Sequence, residues 1–462
     1  MLSLSEAQLK EREVLKYYKK NNPNVLIAPS LSEREVLSRI GINVSLPARP
    51  QGYIRFYPQD FIVEEISKEG EISKIEPKEN VISPSFPFHL SCDLIKVGLS
   101  TFDALNYLAD NLQIKLGRIS YRGLKDVNAI TSQKIAFLDL NCEIFEKIKN
   151  LSLPYIFLTN FNIQPKPLLR GDLFGNRFTI FVRTNGAVNE RWFSQNLEKI
   201  EKEGFLNFYH TQRFGAPRFL SHILGKLILQ GEYEKAVFEF FTEKGLQEIP
   251  LIKQKREEVK KIFGDWRKAE KIFLELPFTF RNEILLLSYL KENPKDFIGA
   301  LIFFKDQTKF WIYSYASYLF NQILSLKGLE LPQEIPLFLS NKIKDRKIYE
   351  FWLEKDGIQD FQNNIRPFRF LRLQRRFVKT RVFPQNVLFK IVPEGVALSF
   401  ILEKGVYATT FLMNLFEVLQ GLPLPDWVNP QEYDIKKLLG IGSIRAVKEI
   451  FGEVISSPMV LY

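Results

Sequence analysis

Between Tyr121 and Gln133 the chain sets a glycine, a lysine and an aspartate where a carboxylate could be mounted for chemistry. The run reads Tyr121-Arg-Gly-Leu-Lys-Asp-Val-Asn-Ala-Ile-Thr-Ser-Gln133. Gly123 can take backbone angles closed to other residues, so it suits a tight turn. That turn would present Lys125 and Asp126 side by side at a loop tip. Ala129-Ile130-Thr131 is short and β-prone and leads the chain back into a sheet. A carboxylate on a loop held by rigid strands is a common mount for a nucleophile. The same spacing also describes a solvated turn, because Asp is a frequent turn former.

Three other stretches hold residue types that could serve such a site. In Leu168–Arg183, Gly175 allows a turn, and Asn176 and Phe178 follow two apart, so both can face one side of a strand. Asn can hydrogen-bond a base edge and Phe can stack on a ring. Phe178, Ile180 and Val182 can equally be one buried strand face. Arg213, in Asn207-Phe-Tyr-His-Thr-Gln-Arg-Phe-Gly215, could bind phosphate, hold Asp126 or sit in a structural ion pair. Arg366, Arg369, Arg372, Arg375, Arg376, Lys379 and Arg381 have no acidic residue among them and are interleaved with Phe368, Phe370 and Phe377. They share one face if the segment is helical, or track a backbone if it is irregular. A cationic stripe with rings between is what an RNA channel calls for.

Bulk composition favours a polyanionic partner. The chain has 64 Lys and Arg against 53 Asp and Glu, a formal charge of +11. A solvated basic surface is the plain alternative, and charge does not choose among RNA, DNA and anionic lipid. Apolar residues make up 45% of the 462, a globular composition with room for two or three domains. The 41 Phe residues fill cores and leave rings for bases to stack on. Cys92 and Cys142 have no CxxC partner, which leaves no zinc or iron–sulfur frame and fits a reducing cytoplasm. His89, His210 and His222 form no ligand pair at helical spacing, although a metal site built only from carboxylates stays open. No P-loop motif is present, so no nucleotide cofactor is expected. The N-terminal region has no long apolar run and opens on Ser5-Glu-Ala-Gln8, a capping-box pattern, so neither a signal peptide nor a membrane span is expected.

Mounting these residues requires a sheet and a second, helical body. Residues 1–50 read as an extension of two short helices, the second announced by Ser32-Glu-Arg-Glu35. Residues 53–65 read as strand, turn, strand, with Phe61 and Val63 on one face and Ile62 and Glu64 on the other. Glu64 reads equally well as a solvated group on an edge strand. Residues 67–82 read as a charged hairpin loop. His89–Ile95 alternates like a strand. Ser100-Thr-Phe-Asp103 caps a helix whose stripe Phe102, Leu105, Leu108, Ala109 and Leu112 is expected in the core. From Ala216 to Asn363 the composition turns to long helices such as Leu220–Lys244 and Lys253–Leu274. The expected division is an N-terminal extension (1–50), a first catalytic part (51–215), a helical insert (216–365) and a second catalytic part (366–462). Residues 416–462 carry no functional reading.

Gly123-Leu-Lys-Asp126, with Ala129, Thr131 and Gln133, resembles the G-x-K-D-x-x-A-x-T-x-Q signature of the TruD family of tRNA pseudouridine synthases. Further blocks match in the family's order from about Gln51 to Leu415. Asp60-Phe-Ile-Val-Glu64 is similar to its D-F-x-V-x-E block, and Leu168–Arg183 to L-x-G-x-x-x-G-N-x-F-x-I-x-x-R. Asn207–Gly215 is similar to N-Y-F-G-x-Q-R-F-G, with the aromatics inverted at Phe208-Tyr209 and His210 where the family has Gly. If that position needs positive φ, His carries strain there. Leu398–Leu412 resembles the closing block, but Met413-Asn414 stands where the family has Arg-Glu.

The resemblance implies an α+β fold: a catalytic domain with a mixed, mainly antiparallel sheet and a largely helical inserted domain. It implies an isomerase converting uridine to pseudouridine in tRNA, at uridine 13 of the D-arm. Asp126 would be the catalytic carboxylate, with Lys125, Asn176, Phe178 and Arg213 around the substrate. The cations Arg366, Arg369, Arg372, Arg375 and Arg376 would lie along RNA. No cofactor or metal would be needed, and the expected protein is a cytoplasmic monomer with tRNA as partner and no membrane. Two other readings compete. One is a catalytically silent tRNA-binding or chaperoning protein of this fold. The other is a metal-dependent nuclease using Asp60, Glu64 and Asp126.

Overall fold

Alternating and fully apolar runs assemble into one ten-stranded sheet, seen in a computed structural model that describes residues 4–78, 82, 87–340 and 342–459. Its strands are β1 (Gln51–Tyr53), β2 (Phe61–Ile66), β3 (Phe88–Val97), β4 (Ile119–Tyr121), β5 (Ile130–Leu140), β6 (Ile156–Gln164), β7 (Gly175–Thr184), β8 (Gln385–Val392), β9 (Gly395–Glu403) and β10 (Glu417–Leu419). The main order is β8-β9-β7-β2-β5-β3-β6, with β1 paired to β7 and β10, and β4 paired to β5. Only β2 with β5 and β1 with β10 run parallel; the other pairs are antiparallel. The sheet is therefore mixed and mainly antiparallel, as expected.

The chain divides into two compact units, residues 1–46 with 206–382 and residues 47–205 with 383–461. The second holds the sheet. Helix Thr101–Leu112 is capped by Ser100, whose side chain accepts from Asp103 N–H. It buries Ala104, Leu105, Leu108, Ala109 and Leu112 against Leu90, Cys92, Leu94, Ile135 and Phe137. Phe102 departs from the expected stripe: it is 46% exposed and meets Tyr121 edge-on. The 67–71 stretch closes a tight turn, Ser67 N donating to Glu71 O at 2.9 Å. Residues 79–81 of the loop expected over 67–82 lie outside the described residues. The C-terminal stretch covers another part of the sheet, where Ile435, Ile444, Val447, Phe451 and Ile455 pack with Ile62, Ile130 and Phe181.

The other unit is largely helical. Its first helix, Leu4–Asn21, is a single 18-residue element, not a short one. Ser5 falls inside it, so the Ser5–Gln8 signature does not mark its start. The second helix, Glu33–Arg39, carries the expected capping box between Ser32 and Glu35. The long helices expected at 220–244 and 253–274 are each broken. Gly231 adopts φ +85° between Ser221–Gln230 and Tyr233–Thr242. Gly264 adopts φ +99°, followed by Asp265 as N-cap, between Pro250–Lys260 and Trp266–Phe273. Helix Lys305–Lys327 spans 23 residues and buries Trp311, Ile312, Leu319, Phe320, Ile323 and Leu324. It approaches Ser221–Gln230 so closely that a Cβ on Gly225 would lie 2.0 Å from Trp311 O.

Candidate active site

The loop between β4 and β5 is fixed by its own signature residues. Gln133 Nε2 donates to Gly123 O at 3.0 Å, and Gln133 Oε1 accepts from Thr101 Oγ1 at 3.0 Å. Thr101 Oγ1 in turn accepts from Lys125 N at 2.9 Å. Lys125 points inward: its Nζ lies 2.7 Å from Glu65 Oε2, both side chains buried. Lys96, fully buried on β3, donates from Nζ to Leu99 O at 2.6 Å and to Asp126 O at 2.8 Å. Burial lowers its ammonium pKa to about 7, although Asp126 opposes the shift.

With its backbone held, Asp126 keeps its carboxylate at the surface, the side chain 31% exposed. Arg55 Nη2 donates to Asp126 Oδ1 at 2.9 Å, and Arg55 Nη1 donates to Gln420 Oε1 at 3.1 Å. The guanidinium lies over the Phe61 ring, 4.0 Å from its centre. Burial lowers the Arg55 pKa, with Asp126 acting against it. Arg55 also sits at φ +62°, a region costly for a side chain-bearing residue.

Asn176 and Phe178 lie on β7 beside this assembly. Register pairs Asn176 with Glu65 and Phe178 with Val63 on β2, so these side chains share one sheet face. Phe178 is buried, edge-on to Phe61 at 6.3 Å and stacked on Phe400 at 5.5 Å. Ile180 and Val182 are buried too. Two runs of neighbouring side chains therefore join the loop to β7: Asp126–Arg55–Phe61–Phe178 and Lys125–Glu65–Asn176. Asn176 Oδ1 is buried with no protein partner. Gly175 is required here, since a Cβ would fall 2.0 Å from Leu402 O.

The other carboxylates near the loop are committed elsewhere. Asp60 is buried against Arg183, which donates from Nε at 3.0 Å and Nη2 at 2.9 Å. Burial raises the Asp60 pKa to about 6, with Arg183 offsetting only part of the shift. Glu64 is fully buried, accepting from Lys436 Nζ at 2.9 Å and Arg177 Nε at 2.7 Å. Burial alone would raise its pKa, but the two cations outweigh burial and lower it. Glu64 is thus no solvated edge group, because β2 is central to the sheet. Among the described residues no cluster of three or more His, Cys, Asp or Glu could hold a metal ion. All three carboxylates of the nuclease reading are in ion pairs, and Asp60 and Glu64 are buried in theirs.

Arg213 lies in the helical unit, where its Nε donates to Ser317 Oγ at 3.0 Å and its guanidinium sits 5.7 Å from the Tyr209 ring centre. His210 takes φ −101°, so no positive-φ strain arises there. Asn321 fixes this loop, accepting from Tyr209 N at 2.9 Å and donating to Tyr209 O at 2.8 Å. Arg366, Arg369, Arg372, Arg375 and Arg376 are all exposed on an irregular stretch between helix Phe361–Ile365 and strand Phe377–Lys379. Arg375 meets an acid from outside the stripe: Asp345 accepts from its Nε and Nη2, both at 2.8 Å.

Arg55, Lys96 and Gln420 carry no signal in the sequence. Arg55 stands in the Tyr53–Asp60 run, yet nothing local ties it to a residue 71 positions on. Residues 416–459 acquire a structural role. Besides Gln420, Gly421 O accepts from Tyr53 at 2.8 Å, Gln431 O accepts from Arg183 at 2.9 Å, and Lys436 neutralises Glu64.

Comparison with known proteins agrees with this architecture. Residues 44–335 match the family model for tRNA pseudouridine synthase D (TruD). A Methanosarcina barkeri protein named "Probable tRNA pseudouridine synthase D" is 32% identical over 62% of this chain and 62% of its own length. A Methanococcus aeolicus protein of the same name is 28% identical over 79% of this chain and 95% of its own. A solved TruD structure from Methanosarcina mazei shares the fold at a TM-score of 0.58 and 24% identity, covering 83% of this chain and 98% of that one. The chain belongs to the TruD family of tRNA pseudouridine synthases, isomerases that act on RNA.

Proposed function

We propose that this protein isomerises uridine to pseudouridine in tRNA, at uridine 13 of the D-arm, with Asp126 as the catalytic carboxylate. The observation that carries this is the mounting of Asp126. Its backbone is pinned by buried Lys96, its carboxylate is held by buried Arg55, and its side chain is still 31% exposed. The reaction breaks the bond from uracil N1 to C1′ and makes one from C5 to C1′, with the C5 proton lost and N1 gaining one. It requires an ionised carboxylate, a grip on the loose base and exclusion of water, and no redox partner or cofactor.

Asn176 would grip the base. Its buried, unpartnered Oδ1 is an acceptor suited to a uracil N–H. Phe178 and Phe61 would form the apolar wall, and Lys125 would orient the loop through Glu65. Extruding the base costs a few kcal/mol, and one aromatic stack returns about 1–3 kcal/mol. Phosphate contacts must then set net affinity. For these the helical unit offers Arg213 and the exposed Arg366, Arg369, Arg372, Arg375 and Arg376. No helix among the described residues is long and apolar enough to cross a membrane. Free Cys92 and Cys142 suit a reducing cytoplasm, and we take the working unit to be a monomer.

The test is Asp126→Asn. The variant should bind tRNA as wild type does and release no tritium from C5-tritiated uridine in tRNA. Tritium release at the wild-type rate refutes the assignment. Loss of tritium release together with loss of tRNA binding points instead to a binding role for Asp126.

A further inference from the structure

We infer that Leu124 is an apolar wedge that enters the RNA stack at the place the target uridine vacates. The inference rests on Asp126 being the catalytic carboxylate and goes beyond it by assigning a positioning residue. Lys125 points inward to Glu65, while its chain neighbours Leu124 and Asp126 keep their side chains in contact with solvent. Leu124 is 61% exposed and Val127 44% exposed, so the carboxylate stands between two apolar side chains in contact with solvent.

A single exposed leucine is ordinary on a protein surface. This one differs in its mounting. The loop is held at Gly123 O by Gln133, at Lys125 N by Thr101, at Lys125 Nζ by Glu65 and at Asp126 O by Lys96. A leucine on so fixed a loop is presented, not merely left outside. The neighbouring loop adds to the same rim: Gly171 N donates to Arg122 O at 2.7 Å, and Leu169 nearby is 68% exposed. The rim thus offers apolar surface where a catalytic loop facing water alone would gain from polar residues. Unstacking leaves two base faces bare, and a leucine is of the size and chemistry that proteins insert into such steps. The recognised element is therefore the base step flanking the target uridine.

The test uses a tRNA transcript whose modified position has been mapped, and a second transcript with an abasic nucleotide next to that position. Leu124→Ala should slow single-turnover conversion of the intact transcript by about tenfold, the factor that 1.36 kcal/mol of missing stacking gives. On the abasic transcript, where the stack is already broken, the deficit should shrink to under about threefold. Leu124→Met should stay within about threefold of wild type on both, because its side chain still fills the step. A 2-aminopurine beside the target gives a second reading. In the Asp126→Asn background it should brighten on binding, and it should brighten less once Leu124→Ala is added. Equal loss on both transcripts, or no loss on the intact one, overturns the wedge. An active Asp126→Asn protein would overturn the catalytic assignment instead, which separates the two failures.

Discussion

Arg55 and Asp126 form a half-buried ion pair in which the cation is enclosed and the anion faces outward, Nη2 to Oδ1 at 2.9 Å. The enclosed partner cannot swing to water, so it fixes where the carboxylate points. Gln420 Oε1 and the Phe61 ring hold the guanidinium from its other sides.

Removing the fixed cation should cost rate more than affinity. For Arg55→Met we expect the single-turnover rate to fall by about 10²–10³-fold, the scale of removing one preorganised electrostatic partner. Arg55→Lys keeps the charge but not the fork that reaches both Asp126 and Gln420, and should lose about tenfold. Gln420→Ala should slow conversion less than Arg55→Lys and leave tRNA affinity unchanged. Tritium release and filter binding, run in parallel, check all three.

Lys125 and Glu65 are both buried, so breaking the pair strands a charge. Lys125→Met should destabilise the protein by about 3–5 kcal/mol. Adding Glu65→Leu should recover much of that, because no unpaired anion then remains. The midpoint of urea unfolding, followed by tryptophan fluorescence, reports the difference. A double variant no more stable than Lys125→Met would show that Lys125 acts chiefly by packing.

Lys96 supplies a pH signature. Its folded pKa of about 7 lies below its unfolded value of 10.5. Between these the folded state binds fewer protons than the unfolded one, so stability rises with pH across that window. Below about 7 both states carry the proton, and this contribution is flat. The slope is at most about 1.4 kcal/mol per pH unit for one proton. Comparing unfolding free energies of wild type and Lys96→Met from pH 7 to 10 should show this rise in the wild type alone.

The arginine stripe should separate by partner. Alanine at Arg366, Arg369, Arg372 or Arg376 should weaken tRNA binding whatever the sequence. Each such change should lower the salt-dependence slope by about 0.7–0.9, the share of one neutralised phosphate. Arg375 is already chelated by Asp345, so Arg375→Ala should perturb stability as well as binding. Titrations across a salt series distinguish the two cases.

Much of the site was legible because its parts are contiguous. Gly123, Lys125, Asp126, Thr131 and Gln133 lie on one turn and the strand that follows, and Gln133 closes that turn on itself. The capping signals at Ser32 and Ser100 act over three residues and formed as read. Glu64 was harder. Its strand alternates like a half-exposed one, and only the structure shows that it is central, paired with both β5 and β7, and buried on both faces. The broken helices at 220–244 and 253–274 were marked locally by Gly231 and Gly264, but strong helix formers around them masked the breaks.

The sequence by itself determined the α+β character, the loop that carries Asp126, the strand bearing Asn176 and Phe178, and the position of the cationic stripe. The α+β character follows from the resemblance of the motif blocks to a known family, and the rest from local propensity and short-range periodicity, which act between near neighbours. Only the tertiary structure decided what restrains the carboxylate. Lys96 reaches the site from β3, Arg55 from the loop between β1 and β2, and Gln420 from a C-terminal stretch, across chain separations over which spacing carries no information. Ion pairs between such residues are chosen by which side chains the sheet register and burial bring within a few ångströms, and that choice exists only once the chain has folded.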